Sequence, residues 1–100
     1  MNHAQTAIDL VLGDRNQAYG TPYDDYLKTA KMWSGFLAHK LKIDITPQEA
    51  IIMMVLLKMS REAHLHKDDN IIDAHGYLLC LEWVISGKRP QKHYEPESQI

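Results

Sequence analysis

The sequence predicts an all-α protein, a four-helix bundle-like single domain that we expect to be oligomeric. Apolar residues recur at three- and four-residue spacing through four segments, and no useful stretch alternates as a strand does. The composition, 45% hydrophobic with five glycines and four prolines among 100 residues, is that of an ordinary globular chain. A chain of this length buries its core incompletely, so an apolar face left over needs a second subunit. We expect residues 1–87 to form the helical domain and residues 88–100 an exposed C-terminal tail.

The first helix is predicted over about residues 3–12, ending at Gly13. The following loop, GDRNQAYG at 13–20, combines two glycines with charged and polar residues. It is either a plain turn or a binding loop, and in the second case Arg15 and Tyr19 are its ligand-binding candidates.

The second helix begins at Thr21 and Pro22, because threonine is a good N-cap and proline suits the first helical position. Its apolar stripe is expected to extend to Leu41. The residues of the stripe are Tyr23, Tyr26, Leu27, Ala30, Trp33, Leu37 and Leu41.

The third helix is predicted over about residues 47–64. Thr46 and Glu49 have the spacing of a capping box, in which each side chain accepts a hydrogen bond from the other residue's amide. From Ala50 to Leu57 the helix is apolar on every side, which indicates a central helix that is contacted on several sides, within the monomer or across a subunit interface.

The fourth helix is predicted over about residues 70–86, with Asp69 as its cap and Gly87 as its end. The segment after it contains two prolines and no periodicity, so we expect an exposed extension. The single cysteine, Cys80, lies in an apolar stretch and is expected in the core, not as a catalytic thiol.

The overall charge and hydropathy exclude several functions. A net charge of −2 provides no broad basic surface for extended nucleic acid. The apolar runs fall short of the roughly 18 residues of a membrane span, and the N-terminus lacks the layout of a signal peptide. We therefore expect a cytoplasmic protein without a membrane partner.

Two pairs of charges near the connection between the third and fourth helices are the strongest candidate site. Lys58 and Arg61 are three positions apart, and Asp69 and Asp73 are four apart, so each pair shares a helical face. A short connection makes the two helices antiparallel and brings the pairs together. One interpretation is a structural ion-pair network, although desolvating four charges is costly.

The other interpretation is a phosphate site. Lys58 and Arg61 would contact phosphate oxygens, while the two aspartates orient them, bind a metal ion or accept hydrogen bonds from a base or ribose. Tyr19 and Tyr77 are next to Gly20 and Gly76, where a ligand can approach the backbone, and they could stack on a base. A nucleotide fits this description.

Histidines and carboxylates crowd residues 64–75, but their spacing matches no zinc motif. No cofactor is predicted from them. A magnesium ion held by Asp69 and Asp73 remains an alternative, since carboxylates one turn apart present oxygen ligands together.

Three blocks of the sequence, residues 14–22, 46–61 and 69–79, together resemble a family of small phage and prophage proteins, and the likeness spans most of residues 7–85. This resemblance implies kinship but no activity. More distantly, residues 69–79 resemble the second half of the MazG-like all-α nucleoside triphosphate pyrophosphatase motif, with Asp69, Asn70 and Asp73 at its three acidic positions.

That superfamily implies Mg²⁺-dependent hydrolysis, for which it also uses an upstream Glu-x-x-Glu pair. Here the charged pair on the third helix is instead Lys58 and Arg61. Too few carboxylates and two cations favour holding a phosphate over hydrolysing it.

Three hypotheses follow from the sequence. The first is a phage-type nucleotide-binding protein that sequesters a cyclic or linear nucleotide signal in the host cytoplasm, as an anti-defence sponge. The second is a divergent Mg²⁺-dependent MazG-like pyrophosphatase that uses Asp69, Asp73 and Glu49 or Glu62. The third is a helical interaction module that buries its third helix against a protein.

Overall fold

Four helices account for most of the chain that the computed structural model describes, which is residues 2–13 and 18–92. They are α1 (His3–Leu12), α2 (Pro22–Phe36), α3 (Pro47–His64) and α4 (Asp68–Ser86). No strand occurs in these residues. The prediction of an all-α domain with four helices is therefore confirmed.

The starts of α2 and α3 follow from local capping. The Thr21 hydroxyl accepts from the Asp24 amide at 3.3 Å. At α3 the Thr46 hydroxyl accepts from the Glu49 amide at 3.1 Å, and the Glu49 carboxylate accepts from the Thr46 amide at 3.0 Å. Each helix then has a proline in its first turn. The capping box and the role of Glu49 in it are confirmed.

The start of α4 differs from the prediction that Asp69 caps it. The helix begins at Asp68, and Lys67 occupies the N-cap position without a side-chain cap. The Lys67 amide instead donates to the Glu62 carboxylate, 3.0 Å away on α3. A tertiary contact thus satisfies the free amide that a local cap would otherwise satisfy. At the other end Gly87 has a φ of 74°, which confirms it as the residue that ends the helix.

Helix α2 is shorter than predicted and buries a different stripe. It ends at Phe36, and its buried residues recur every four positions: Pro22, Tyr26, Ala30 and Ser34. Tyr23, which was predicted in the stripe, is 51% exposed. The Ser34 hydroxyl accepts from the Ile45 amide at 2.8 Å. This bond holds the connection to α3 against α2, which has already ended at Phe36.

The core forms around α4, which contacts each of the other three helices, while α2 also packs on α3. Helix α4 thus has the central position within the monomer, whereas α3 contacts α2 and α4. Whether α3 is also contacted across a subunit interface, the other alternative that the sequence left open, stays a prediction. Cys80 is buried, as predicted for a core residue. The buried core residues are Val11, Tyr26, Ala30, Ala50, Ile51 and Cys80.

After α4 the chain turns back toward α1. The Gln5 amide group donates to the Lys92 carbonyl at 3.0 Å, and the Arg89 guanidinium lies 5.7 Å from the centroid of the Trp83 ring. Residues 88–92 thus contact the helical domain, and the rest of the predicted tail, residues 93–100, lies outside the described residues. Among the described helices, none is long and apolar enough to cross a membrane.

Candidate functional site

An open cleft of about 620 Å³ lies where the end of α3 meets the start of α4. The hairpin is antiparallel, because Lys58 pairs with Asp73 and Glu62 contacts Asn70, so position increases on one helix as it decreases on the other. The four charges singled out in the sequence, Lys58, Arg61, Asp69 and Asp73, all line this cleft. The other residues of the lining are Ser60, His64, Leu65, Lys67 and Asn70.

Lys58 and Asp73 form the direct ion pair of the cleft. The Lys58 Nζ atom lies 2.7 Å from Asp73 Oδ2, and the two side chains are 14% and 37% exposed. A charge-assisted hydrogen bond at this depth is stronger than a solvent-exposed one. The ammonium group keeps two further N–H donors for another acceptor. Of the four charges in the predicted ion-pair network, Lys58 and Asp73 are therefore paired with each other.

Arg61 and Asp69 do not join that pair. Both are exposed on the cleft, and within residues 2–13 and 18–92 neither side chain makes an ion pair. Because Lys58 and Asp73 neutralise one another, the charge left on the lining comes from Arg61 and Lys67 against Asp69. The remaining balance is positive, and it includes a guanidinium whose five donors can bind an anion in a planar fork.

Glu62 holds the turn beneath the cleft. Its Oε1 atom accepts from the Lys67 amide at 3.0 Å and from the Asn70 side chain at 3.1 Å, and its Oε2 atom pairs with His66 Nδ1. Asn70 is only 6% exposed, so its amide is a buried structural group. The second nitrogen of His66 lies 3.3 Å from Asp68.

These contacts shift two pKa values. The hydrogen bond from His66, followed by that from the Lys67 amide, holds the pKa of Glu62 below its usual 4.5. The same bond to Glu62 raises the pKa of His66 above its usual 6.5. Sequence reasoning assigned Glu62 only as a spare metal ligand and missed this role. The four-residue spacing between the two side chains was the available signal.

A second, smaller cavity of about 190 Å³ lies between α1 and α4. Tyr19 and Tyr77, the two aromatic candidates, both line it, together with Gly76 and Asp73. The Tyr77 ring packs edge-to-face on Tyr26 at a centroid distance of 6.4 Å. Asp73 lines both cavities. We call the smaller one the aromatic slot; its apolar walls are Ala7, Leu10, Val11 and Ile72.

The two other candidates from the sequence are Arg15 and a bound metal ion. Arg15 lies outside the described residues. In the part of the chain that is described, no group of three or more histidine, cysteine, aspartate or glutamate side chains could hold a metal ion. Of the acidic groups on the cleft, Asp73 is already paired with Lys58 and Asp69 lies exposed.

The fold and the cleft define a small all-α protein with a cluster of charged side chains at one end of the α3–α4 hairpin. The chain belongs to the family described as a domain of unknown function, DUF6378, whose model matches residues 3–85.

Two phage proteins are similar to it. The Gene 55 protein of Mycobacterium phage L5 is 33% identical over 84 residues, which cover 82% of this chain and 51% of that protein. The Gene 55 protein of Mycobacterium phage D29 is 29% identical over 80 residues, which cover 80% of this chain and 51% of that protein. The chain thus spans about half the length of these relatives. No solved structure matches it. The predicted kinship with phage proteins is confirmed.

Proposed function

We propose that this protein binds a nucleotide and holds its phosphate in the cleft through Lys58 and Arg61. The observation that carries the proposal is the Arg61 guanidinium, which lies on the cleft beside Lys58 with no carboxylate partner among the described residues. Without a carboxylate partner, the exposed guanidinium keeps its five N–H donors available to an anion on the cleft. A phosphate group would accept hydrogen bonds from the planar guanidinium of Arg61 and from the two N–H donors of Lys58 that Asp73 does not use.

The adjoining cavities suggest how the rest of a nucleotide lies. The aromatic slot, about 190 Å³ in volume, offers the rings of Tyr19 and Tyr77 to a base. Asp73 lines both cavities, and in this proposal its carboxylate accepts from a ribose hydroxyl between base and phosphate. The contact with Lys58 keeps the Asp73 carboxylate from repelling the phosphate, because the pair is neutral overall.

Binding without hydrolysis is the better supported chemistry. A Mg²⁺-dependent pyrophosphatase needs several carboxylate oxygens around the metal ion and the attacking water. Here the cleft offers Asp69 and an Asp73 that is committed to Lys58, and Asn70 is bound to Glu62. The MazG-like enzyme is nevertheless the second candidate, since both aspartates of the resembling segment do face the cleft.

The biological role that we propose is sequestration of a nucleotide signal, in particular a cyclic nucleotide. Support comes from the kinship with phage proteins and from a site that favours holding a phosphate over cleaving it. A phage protein that removes a signalling nucleotide from solution would blunt a host defence that depends on that signal. This role rests on analogy with anti-defence sponges.

The experiment is a thermal-shift screen of mono-, di-, tri- and cyclic nucleotides with and without Mg²⁺, followed by chromatography of each stabilising ligand. A stabilising nucleotide recovered intact supports sequestration, whereas a cleaved one identifies a pyrophosphatase. The Arg61→Gln variant should lose the shift, and Lys31→Gln, a matched change at an exposed cation on α2, should keep it. No shift with any nucleotide contradicts the proposal and leaves the protein-interaction hypothesis in front.

A further inference from the structure

Helix α3 exposes a continuous apolar surface that no other described helix covers. No charged residue occurs from Ala50 to Leu57. Ala50 and Ile51 are fully buried on the inner side. The exposed side carries large apolar residues at helical spacing, so they form one face. We call this face the α3 strip; its residues, each 38–61% exposed, are Ile52, Met53, Leu56, Leu57 and Met59.

The size of the α3 strip is that of an interaction surface. From the exposed fractions, the five side chains present on the order of 400 Å² of apolar surface to solvent, which equals the largest apolar patch of a typical monomer, a patch that is often functional. A standard interface buries about 800 Å² on each partner and has an apolar core inside a polar rim. The strip therefore supplies about half of one partner's share, and that half is the apolar core.

We infer that the α3 strip is covered by the α3 strip of a second copy of this chain, with the two helices antiparallel about a two-fold axis. An isologous interface needs a self-complementary surface, and charge placement on α3 provides it. Glu49 lies in the first turn, Arg61 and His64 lie in the last turn, and the strip lies between them. Antiparallel pairing places the acidic end of each helix beside the basic end of its copy.

A parallel arrangement would place like charges together and align the two helix dipoles, so the antiparallel one is favoured. The helix has 18 residues, which corresponds to about 27 Å. Leu56, the most exposed member of the strip at 61%, lies near the midpoint of the helix. In the two-fold arrangement Leu56 therefore lies close to its own copy.

The dimer borders the nucleotide cleft, because Arg61 lies both on the cleft and at the basic end of α3 that faces the copy's Glu49. The mass measurement below contains no nucleotide, so the dimer can fail separately from the proposed function. Ser60 and His64 line the cleft and flank the strip on the last turns of α3. A second copy on the strip would thus form one rim of each cleft. It would leave the Lys58 to Asp73 pair on the α4 side of the hairpin undisturbed.

The test is the mass of the full chain in solution, measured by size-exclusion chromatography with light scattering and no nucleotide added. Wild type should give twice the chain mass of 11.5 kDa, and Leu56→Glu should give a smaller species of one chain. Ile43→Glu is the matched control, because Ile43 is 82% exposed in the connection before α3, outside the strip. It should leave the mass unchanged. A wild-type mass of one chain, or a Leu56→Glu mass equal to wild type, overturns the inference.

Cross-linking tests the antiparallel geometry and does not depend on the charged variant's folding. Under mild oxidation Leu56→Cys should form a disulfide-linked dimer, because the two copies of this residue meet near the axis. Met32→Cys, at a residue 69% exposed on α2, should not. Cys80 is buried and does not compete. Circular dichroism checks that each variant retains its helices. Absence of a Leu56→Cys dimer, or equal linking through Met32→Cys, contradicts the antiparallel arrangement.

Discussion

Replacing Lys58 by methionine should impair both the stability of the fold and nucleotide binding, because the side chain serves the ion pair and the phosphate. The change keeps the length of the side chain but leaves the Asp73 carboxylate without its partner at 2.7 Å. Exposed pairs contribute about 0–1 kcal/mol, and breaking a fully buried pair costs about 3–5 kcal/mol. With side chains 14% and 37% exposed, this pair lies between these limits. We expect a loss of about 2 kcal/mol, which lowers Tm by about 8–16 °C in a domain of this size.

Arg61→Gln is the matched comparison. Because Arg61 is exposed and makes no ion pair among the described residues, its loss should change stability by only about 0.5 kcal/mol in either direction. Both variants should bind the nucleotide at least about 10-fold more weakly than wild type. Chemical denaturation gives the first quantity and calorimetric titration the second. Arg61→Gln destabilising the fold as strongly as Lys58→Met would show that the guanidinium is structural and would refute the reasoning.

Removing both partners of the pair provides a control. Lys58→Met combined with Asp73→Leu leaves no unpaired charge, so most of the lost stability should return, while binding stays weak. If the double variant is as unstable as the sum of the two single variants, the two side chains do not act as a pair.

Three further predictions concern the fold. The turn held by Glu62 and His66 should stabilise the fold most between about pH 4.5 and 6.5. Because the pKa of Glu62 is lowered, its contribution to stability is fully present above pH 4.5 and is lost as the pH falls through the folded pKa. Because the pKa of His66 is raised, its contribution is fully present below pH 6.5 and is lost as the pH rises through the folded pKa. The Tm difference between wild type and His66→Gln, followed against pH, should peak there, and a flat profile would contradict the assignment. Ile51→Ala should cost about 2–5 kcal/mol in urea unfolding, because the side chain is fully buried, and a cost under 1 kcal/mol would mean that the core relaxes. Gly87→Ala should cost about 1 kcal/mol, since Gly87 has a φ of 74°, and equal stability would show that the helix ends differently in solution.

Local chemistry made most of the fold predictable. Helix starts at Thr21 and Thr46 depend on side chains within three residues, so a sequence pattern suffices to find them. After α2 ends, the connection is held by the hydrogen bond from Ile45 to Ser34, eleven positions away, and the start of α4 is held by Glu62 of the preceding helix. No local pattern contains these contacts. The predicted end of α2 at Leu41 and the predicted cap of α4 at Asp69 were wrong.

The candidate site was predictable to a similar degree. Helical spacing placed Lys58, Arg61 and the two aspartates on facing sides of one hairpin, and the structure puts all four on one cleft. Which charges pair is decided by the register of α3 against α4 and the depth of each side chain, and these are tertiary properties. The central position of α4 is another such property, because α3 has the uninterrupted apolar run from Ala50 to Leu57 yet leaves the α3 strip exposed.

The central claim is that Arg61 binds a nucleotide's phosphate, and the most direct test is calorimetric titration of wild type and Arg61→Gln with the nucleotide that stabilises wild type best. A charge-assisted hydrogen bond contributes about 1.5–3 kcal/mol, so we predict that Arg61→Gln weakens binding by about 10- to 150-fold and shifts the Tm of the unliganded protein by no more than about 4 °C. Equal affinity in the two proteins, or no affinity of wild type for any nucleotide, would contradict the claim.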